Sequence, residues 1–220
     1  MKNIVVLASG SGTNLERILE CIQNGEIPNA KVSMVVADRD CYALVRAEKH
    51  QIPHYLIKRG KNFCENLEKI LPKDTDLIVL AGFLSIISED FAKKYAGKII
   101  NIHPALLPKF GGKGMWGMHV HTAVIDAGEK ESGATVHFVT PEVDVGPIIA
   151  QAVVPVLVND TEEVLAARVL EMEHRLFPQV LSWLAAGRIT LTPVGGVLLD
   201  GEDHPEQRTL LHPLLTGARA

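Results

Sequence analysis

Short aliphatic runs alternate with stretches of helical period along the first hundred positions. Ile4 to Ala8, Val32 to Ala37, Leu77 to Ala81 and Lys98 to Ile102 are nearly continuous in apolar residues, as strands covered on both faces are. Between them, Leu15, Ile18, Leu19 and Ile22 recur at helical spacing from about Asn14. Ala43 to Lys49, the segment carrying Phe63, Leu67, Ile70 and Leu71, and Ser88 to Tyr95 predict three more helices, and Pro53 to Ile57 a short extended piece. Strands and amphipathic helices in alternation predict an α/β fold: a doubly wound, mostly parallel sheet, Rossmann-like in its N-terminal half.

Past residue 110 the pattern changes. Gly111 to Gly114 reads as a flexible stretch, and Gly133 to Phe138 with Ile148 to Val156 as an antiparallel strand pair. Asp160-Thr161-Glu162-Glu163 reads as a capping box that opens a long helix to about Ala186, with Val164, Leu165, Val169, Met172, Leu176 and Val180 on its apolar face. Ile189 to Leu199 predicts two strands around Pro193-Val194-Gly195-Gly196, and the residues beyond Gly201 a polar extension.

Composition narrows the function classes. A chain of 220 residues suits one large domain with a small extension. The net charge of -4 lacks the basic footprint of a nucleic-acid binder. Cys21, Cys41 and Cys64 have no CxxC spacing, which argues against a disulfide framework or cysteine zinc site. MKNIVVLASGSG reads as a first buried strand rather than a signal peptide, and no apolar run approaches a membrane span. These features lead us to expect a cytoplasmic protein with no nucleic-acid or membrane partner.

Three segments carry candidate chemistry. Ser9-Gly10-Ser11-Gly12-Thr13-Asn14 joins the first strand to the first helix, where glycines allow a tight turn and free amides favour a phosphate. Gly10 and Gly12 fit a dinucleotide loop, but Leu15 stands where its third glycine belongs; Asp38, ending the second strand, keeps that reading open as the ribose-binding acid. In Ile100-Asn101-Ile102-His103-Pro104, side chains two apart share a strand face, so Asn101 and His103 point together. An amide donor beside an imidazole is equipped to stabilise an oxyanion and move a proton, and equally to be a satisfied buried pair. In the loop Thr140-Pro141-Glu142-Val143-Asp144, an Asp144 folded back on His103 would raise the imidazole's pKa. His119, His121 and His137 invite a metal, but no HExxH or Cys/His cluster accompanies them, so polar pocket or structural roles are expected instead and no metal.

Taken together, the chain resembles the phosphoribosylglycinamide formyltransferase family, folate-dependent enzymes of purine synthesis, over roughly its first 190 residues. The stretches that carry the likeness are NIVVLASGSGTNL, LAGFL, INIHPALLPKF, HVH, GATVHFVTPEVDVGPII and RVLEMEH. Asn-x-His-Pro alone is shared by formyl-transferring and formyl-hydrolysing relatives; the SGSGTN loop and Glu173 narrow the match.

The resemblance implies a single domain over 1–192, with a nucleotide-phosphate half (1–100), a catalytic and folate half (101–192) and an extension at 193–220. It implies phosphate contacts from Gly12, Thr13 and Asn14, with Leu170, Glu171, Met172 and Glu173 at the ribose and glycinamide end of the ribonucleotide. Leu84, Ser85, Ile86, Ile87, Asn101 and Thr140, Pro141, Glu142, Val143 and Asp144 would line the pocket for 10-formyltetrahydrofolate, the formyl donor. Asn101, His103 and Asp144 would be the catalytic trio, with His103 charged, acting as general acid and proton carrier.

The chain departs from the family pattern in four places. Ala105 replaces a usual Ser, Leu84-Ser85 a usual Met-Arg, Gly111 to Trp116 reads as an insertion, and the family's folate-contacting arginine near Asn62 to Cys64 is left unassigned. Sister enzymes that formylate another amine, a formyl-folate hydrolase, and a non-catalytic dinucleotide binder using Gly10, Gly12 and Asp38 are the rival readings.

Overall fold

The computed structural model describes residues 1–216. In chain order its first half holds β1 (Lys2–Ala8), α1 (Thr13–Gln23), β2 (Ala30–Ala37), α2 (Tyr42–Lys49), β3 (His54–Leu56), α3 (Phe63–Ile70), β4 (Leu77–Leu80), α4 (Glu89–Lys94) and β5 (Ile99–His103). The second half holds α5 (Met118–Asp126), β6 (Glu131–Phe138), β7 (Ile148–Pro155), α6 (Glu162–Ala185), β8 (Ile189–Leu191), β9 (Val197–Leu199), a 3₁₀ turn (Pro205–Arg208), β10 (Thr209–Leu211) and α7 (Pro213–Thr216).

The main sheet has the order β10-β7-β6-β5-β4-β1-β2-β3. β3, β2, β1, β4 and β5 pair in parallel, and β6 runs antiparallel between β5 and β7. Both faces are covered, so successive apolar residues of the runs are buried on opposite sides: Ile4, Val6, Val79 and Ile100 pack towards α1 and α6, while Val5, Leu7, Ile78 and Ile99 pack towards α3 and α4. Strand order reverses between β1 and β4, and a cleft opens beyond the carboxyl ends of the strands there, as doubly wound sheets require.

The long helix is built differently from its sequence signal. Thr161, one residue later than the expected box, is the N-cap and accepts from Val164 N at 3.4 Å. Asp160 instead takes two bonds from Arg168, at 2.6 and 2.9 Å. Val164 is exposed, so the apolar face begins at Leu165. Pro178 lies in the helix interior and cannot bond the carbonyl of His174; Arg17 Nε donates to that oxygen at 3.4 Å.

Two features escaped the pattern reading. α5 was not anticipated, because its turns carry histidines where an apolar stripe would be expected. The residues after Gly201 are more than a polar tail: Thr209–Leu211 pairs in parallel with Gln151–Val153, and His212 is buried. Three residues are too few to show a period.

Gly12 shows how closely the first loop is packed. It has φ 70°, and a Cβ there would lie 2.8 Å from Ala43 Cα on α2. Strain and overlap add, so Gly12→Ala is expected to cost at least about 2 kcal/mol. Thermal melting tests this; an unchanged Tm would mean that the loop is not held against α2.

Candidate active site

β5 presents Asn101 and His103 on one face at the floor of a cleft of about 680 Å³. Its antiparallel register with β6 sets His137 directly opposite Asn101. The loop after β6 then returns Asp144, at φ 58°, over both. Asn101 Nδ2 lies 3.1 Å from His137 Nε2 and 3.4 Å from Asp144 Oδ1. His103 Nδ1 lies 3.5 Å from Asp144 Oδ2 and His137 Nε2 3.5 Å from Oδ1. Gly112 N donates to Asp144 Oδ2 at 2.9 Å, tying the glycine-rich stretch to the same carboxylate.

Hydrogen bonding fixes which imidazole nitrogen can change its proton. His103 Nε2 is 2.7 Å from the carbonyl of Phe110, which only accepts, so Nε2 keeps its hydrogen. The titrating atom is therefore Nδ1, facing Asp144. Burial pulls the His103 pKa below its ordinary value, against the opposing pull of Asp144. The expected approach of Asp144 occurs, but desolvation outweighs it: the resting imidazole lies below, not above, the usual range. Burial also pushes Asp144 upwards, yet the His137 bond, the His103 charge and the Gly112 amide together hold it below the usual carboxylate value.

The other expected residues divide by helical and loop geometry. Leu84, Ser85, Ile86, Ile87 and all of Thr140 to Asp144 line the cleft. In α6, Leu170 and Glu173 are one turn apart and face it. Met172 is fully buried in the core, and Glu171 points away to within 3.6 Å of His212. Gly12 ends the first loop; the amides of Thr13, Asn14 and Leu15 precede the first helical bond, Glu16 N to Gly12 O, and so lack intrahelical partners. Asn14 Nδ2 donates to buried Glu173 at 2.7 Å, and the Asn14 carboxamide oxygen is buried with no partner. With little but Asn14 to oppose desolvation, Glu173 is pushed up from 4.5 to about 7.

The sequence left His119, His121 and His137 between polar pocket and structural roles, and of these only His121 and His137 line the cleft. The hairpin register was the available signal for His137. His121 lies on α5, buried in the cleft wall with Nδ1 unpartnered and its pKa lowered by burial to about 4, while His119 turns out against the edge of Trp116. Among the described residues no cluster of three or more His, Cys, Asp or Glu could hold a metal, and no helix is long and apolar enough to cross a membrane. Asp38 is not a free acid: Arg39, Arg59 and Ser85 occupy its carboxylate.

A parallel sheet with a phosphate-suited helix start, and an Asn-x-His strand end faced by a loop aspartate, is the architecture of a group-transfer enzyme acting on a carbonyl. The sequence model of the formyl transferase family matches residues 2–181, and the chain belongs to that family. The chain is 42% identical to phosphoribosylglycinamide formyltransferase of Haemophilus influenzae, over 94% of this chain and 97% of that protein. The enzyme of the same name from Escherichia coli is 39% identical over 93% and 97%. The crystal structure of phosphoribosylglycinamide formyltransferase from Anaplasma phagocytophilum superposes with a TM-score of 0.86 at 37% identity, covering 96% of this chain and 98% of that one.

Proposed function

We propose that this protein transfers the formyl group of 10-formyltetrahydrofolate to the amine of 5'-phosphoribosylglycinamide, giving formylglycinamide ribonucleotide and tetrahydrofolate in de novo purine synthesis. The observation that carries the reading is the meeting of Asn101, His103 and Asp144, from β5 and the loop after β6, in one cleft. The relatives' shared activity, at these identities and coverages, supports the same substrates.

Residues 1–100 supply the phosphate end and one wall of the folate pocket, and residues 101–192 the catalytic groups and the other wall, in one domain with 193–220 as an extension. The start of α1, from Gly12 to Asn14, receives the phosphate on free amides. Glu173 and the unpartnered Asn14 oxygen offer acceptors to the glycinamide end. The donor is a co-substrate that brings a formyl carbon on a nitrogen able to leave once protonated. Its pocket fits a flat, partly apolar molecule: Leu84, Ile86, Ile87, Pro141 and Val143 wall it, with polar groups at the floor.

Asn101 Nδ2 is placed to donate to the formyl oxygen as the amine adds and negative charge gathers there. His103 Nδ1, proton-free at rest, takes the proton that the attacking amine sheds, and Asp144 stabilises the imidazolium so formed. The same Nδ1–H then protonates the departing folate nitrogen, so one proton crosses from amine to leaving group. This cycle differs from the expectation of a histidine charged at rest. Small-molecule substrates and a cytoplasmic setting complete the reading.

Two measurements test it. Mixing both substrates with the protein and following deformylated folate by absorbance should show turnover that stops when the amine is omitted; continued turnover would indicate a hydrolase. For Asp144→Asn, the strongest influence raising the His103 pKa is lost. The acid limb of kcat/KM, which falls as Nδ1 becomes protonated in the free enzyme, should move to lower pH while the plateau drops at least about tenfold. An unmoved limb would separate Asp144 from the proton carrier.

A further inference from the structure

Helix α2 holds the first loop by its carbonyls. Ala43 N donates to Gly10 O at 3.1 Å, and Arg46 Nε donates to Ser11 O at 2.8 Å. In a planar trans peptide the carbonyl and the following amide point in opposite directions. The amides of Ser11 and Gly12 therefore turn away from α2, and Ser11 itself lines the cleft. Turned over, the Ser11–Gly12 peptide would set a carbonyl oxygen where the amide now stands, and such an oxygen repels an anion. A glycine beside the peptide makes that rotation cheap unless something prevents it.

Arg46 is braced to prevent it. Its Nη1 donates to Glu16 Oε2 at 2.7 Å, and His50 Nε2 lies 2.8 Å from the other carboxylate oxygen, Oε1. The arginine stem packs on the loop, since a Cβ at Gly12 would lie 3.2 Å from Arg46 Cδ, and the guanidinium sits over the Tyr42 ring. Glu16 neutralises the guanidinium, so Arg46 gives the loop a direction rather than a charge.

Resting on the function proposed above, we infer that Arg46, braced by Glu16, is a positioning residue for the phosphate of the ribonucleotide. It holds the Ser11 carbonyl outwards so that the Gly12 amide faces the phosphate. Neither Arg46 nor Glu16 touches the substrate.

The test compares 5'-phosphoribosylglycinamide with its dephosphorylated riboside as formyl acceptors. Arg46→Met keeps a stem against Gly12 but has no donor. It should raise KM for the ribonucleotide about tenfold with kcat little changed, and leave kcat/KM for the riboside unmoved. Two further variants separate direction from charge, and decide the matter if Arg46→Met folds poorly. Arg46→Lys keeps the charge, but a single ammonium cannot bond Ser11 O and Glu16 as the fork does, so it should recover only part of the loss. Glu16→Ala frees the fork and leaves its charge unneutralised: KM for the ribonucleotide should rise, whereas a direct pull of charge on phosphate would lower it. Full recovery with lysine, a lowered KM in Glu16→Ala, or equal shifts for both acceptors would overturn the inference, as would no shift at all. Wild-type protein is the control that separates the two readings: without formyl transfer both fall, whereas normal turnover with unshifted variants removes this one alone.

Discussion

Alanine in place of His103 is expected to lower kcat by at least about a hundredfold while both KM values stay within a few-fold of wild type. The reason is the division of labour between the two ring nitrogens. Phe110 holds Nε2 in one protonation state, which leaves Nδ1, beside Asp144, as the atom that would accept and return the travelling proton in the proposed cycle. Alanine removes that relay without touching the walls that bind either substrate. Asn101→Ala takes away an oxyanion donor instead, a loss of about 3 kcal/mol and so of similar size. In the proposed cycle the two groups serve one transition state, so the double variant should lose less than the product of the single effects. Steady-state kinetics with both substrates varied decides the matter. Near wild-type turnover in either single variant would remove that residue from the chemistry.

Glu173→Gln should make the protein more stable and a worse enzyme. Unfolded, this carboxyl titrates near 4.5; folded, burial holds it at about 7. Between those values the folded chain binds more protons than the unfolded one, so stability falls as pH rises through the interval and the loss is complete above 7. At one unit per 1.36 kcal/mol, the penalty at pH 8 is on the order of 3 kcal/mol. Glutamine cannot ionise and keeps an acceptor for Asn14. The variant should therefore melt several degrees higher at pH 8, an advantage that disappears by about pH 4. Its KM for the ribonucleotide should rise about tenfold, because a neutral amide replaces an ionisable acceptor at the glycinamide end. A purely structural Glu173 would give the melting gain with KM unchanged.

The balance at Glu173 also explains why charge patterning could not reveal its role. A glutamate in a helix is by default a solvated side chain, and its neighbours Glu171 and Met172 look equally eligible when the segment is carried over as a block. The 3.6-residue turn separates them: Leu170 and Glu173 reach the cleft, Met172 enters the core and Glu171 leaves towards His212.

By itself the sequence determined the alternation of buried strands and helices, the glycine turn after β1 and the pairing of Asn101 with His103 on one strand face. Each follows from local periodicity or local backbone freedom, which act over a few residues. Tertiary structure alone decided that Asp144 lies against His103, that His137 stands opposite Asn101, that α5 forms, and that Asp38 is held by two arginines rather than left free for a ribose. It also decided the sign at His103, where burial outweighs the neighbouring carboxylate. Register, loop return and desolvation depend on what packs against a residue from elsewhere in the chain, and no local pattern encodes that.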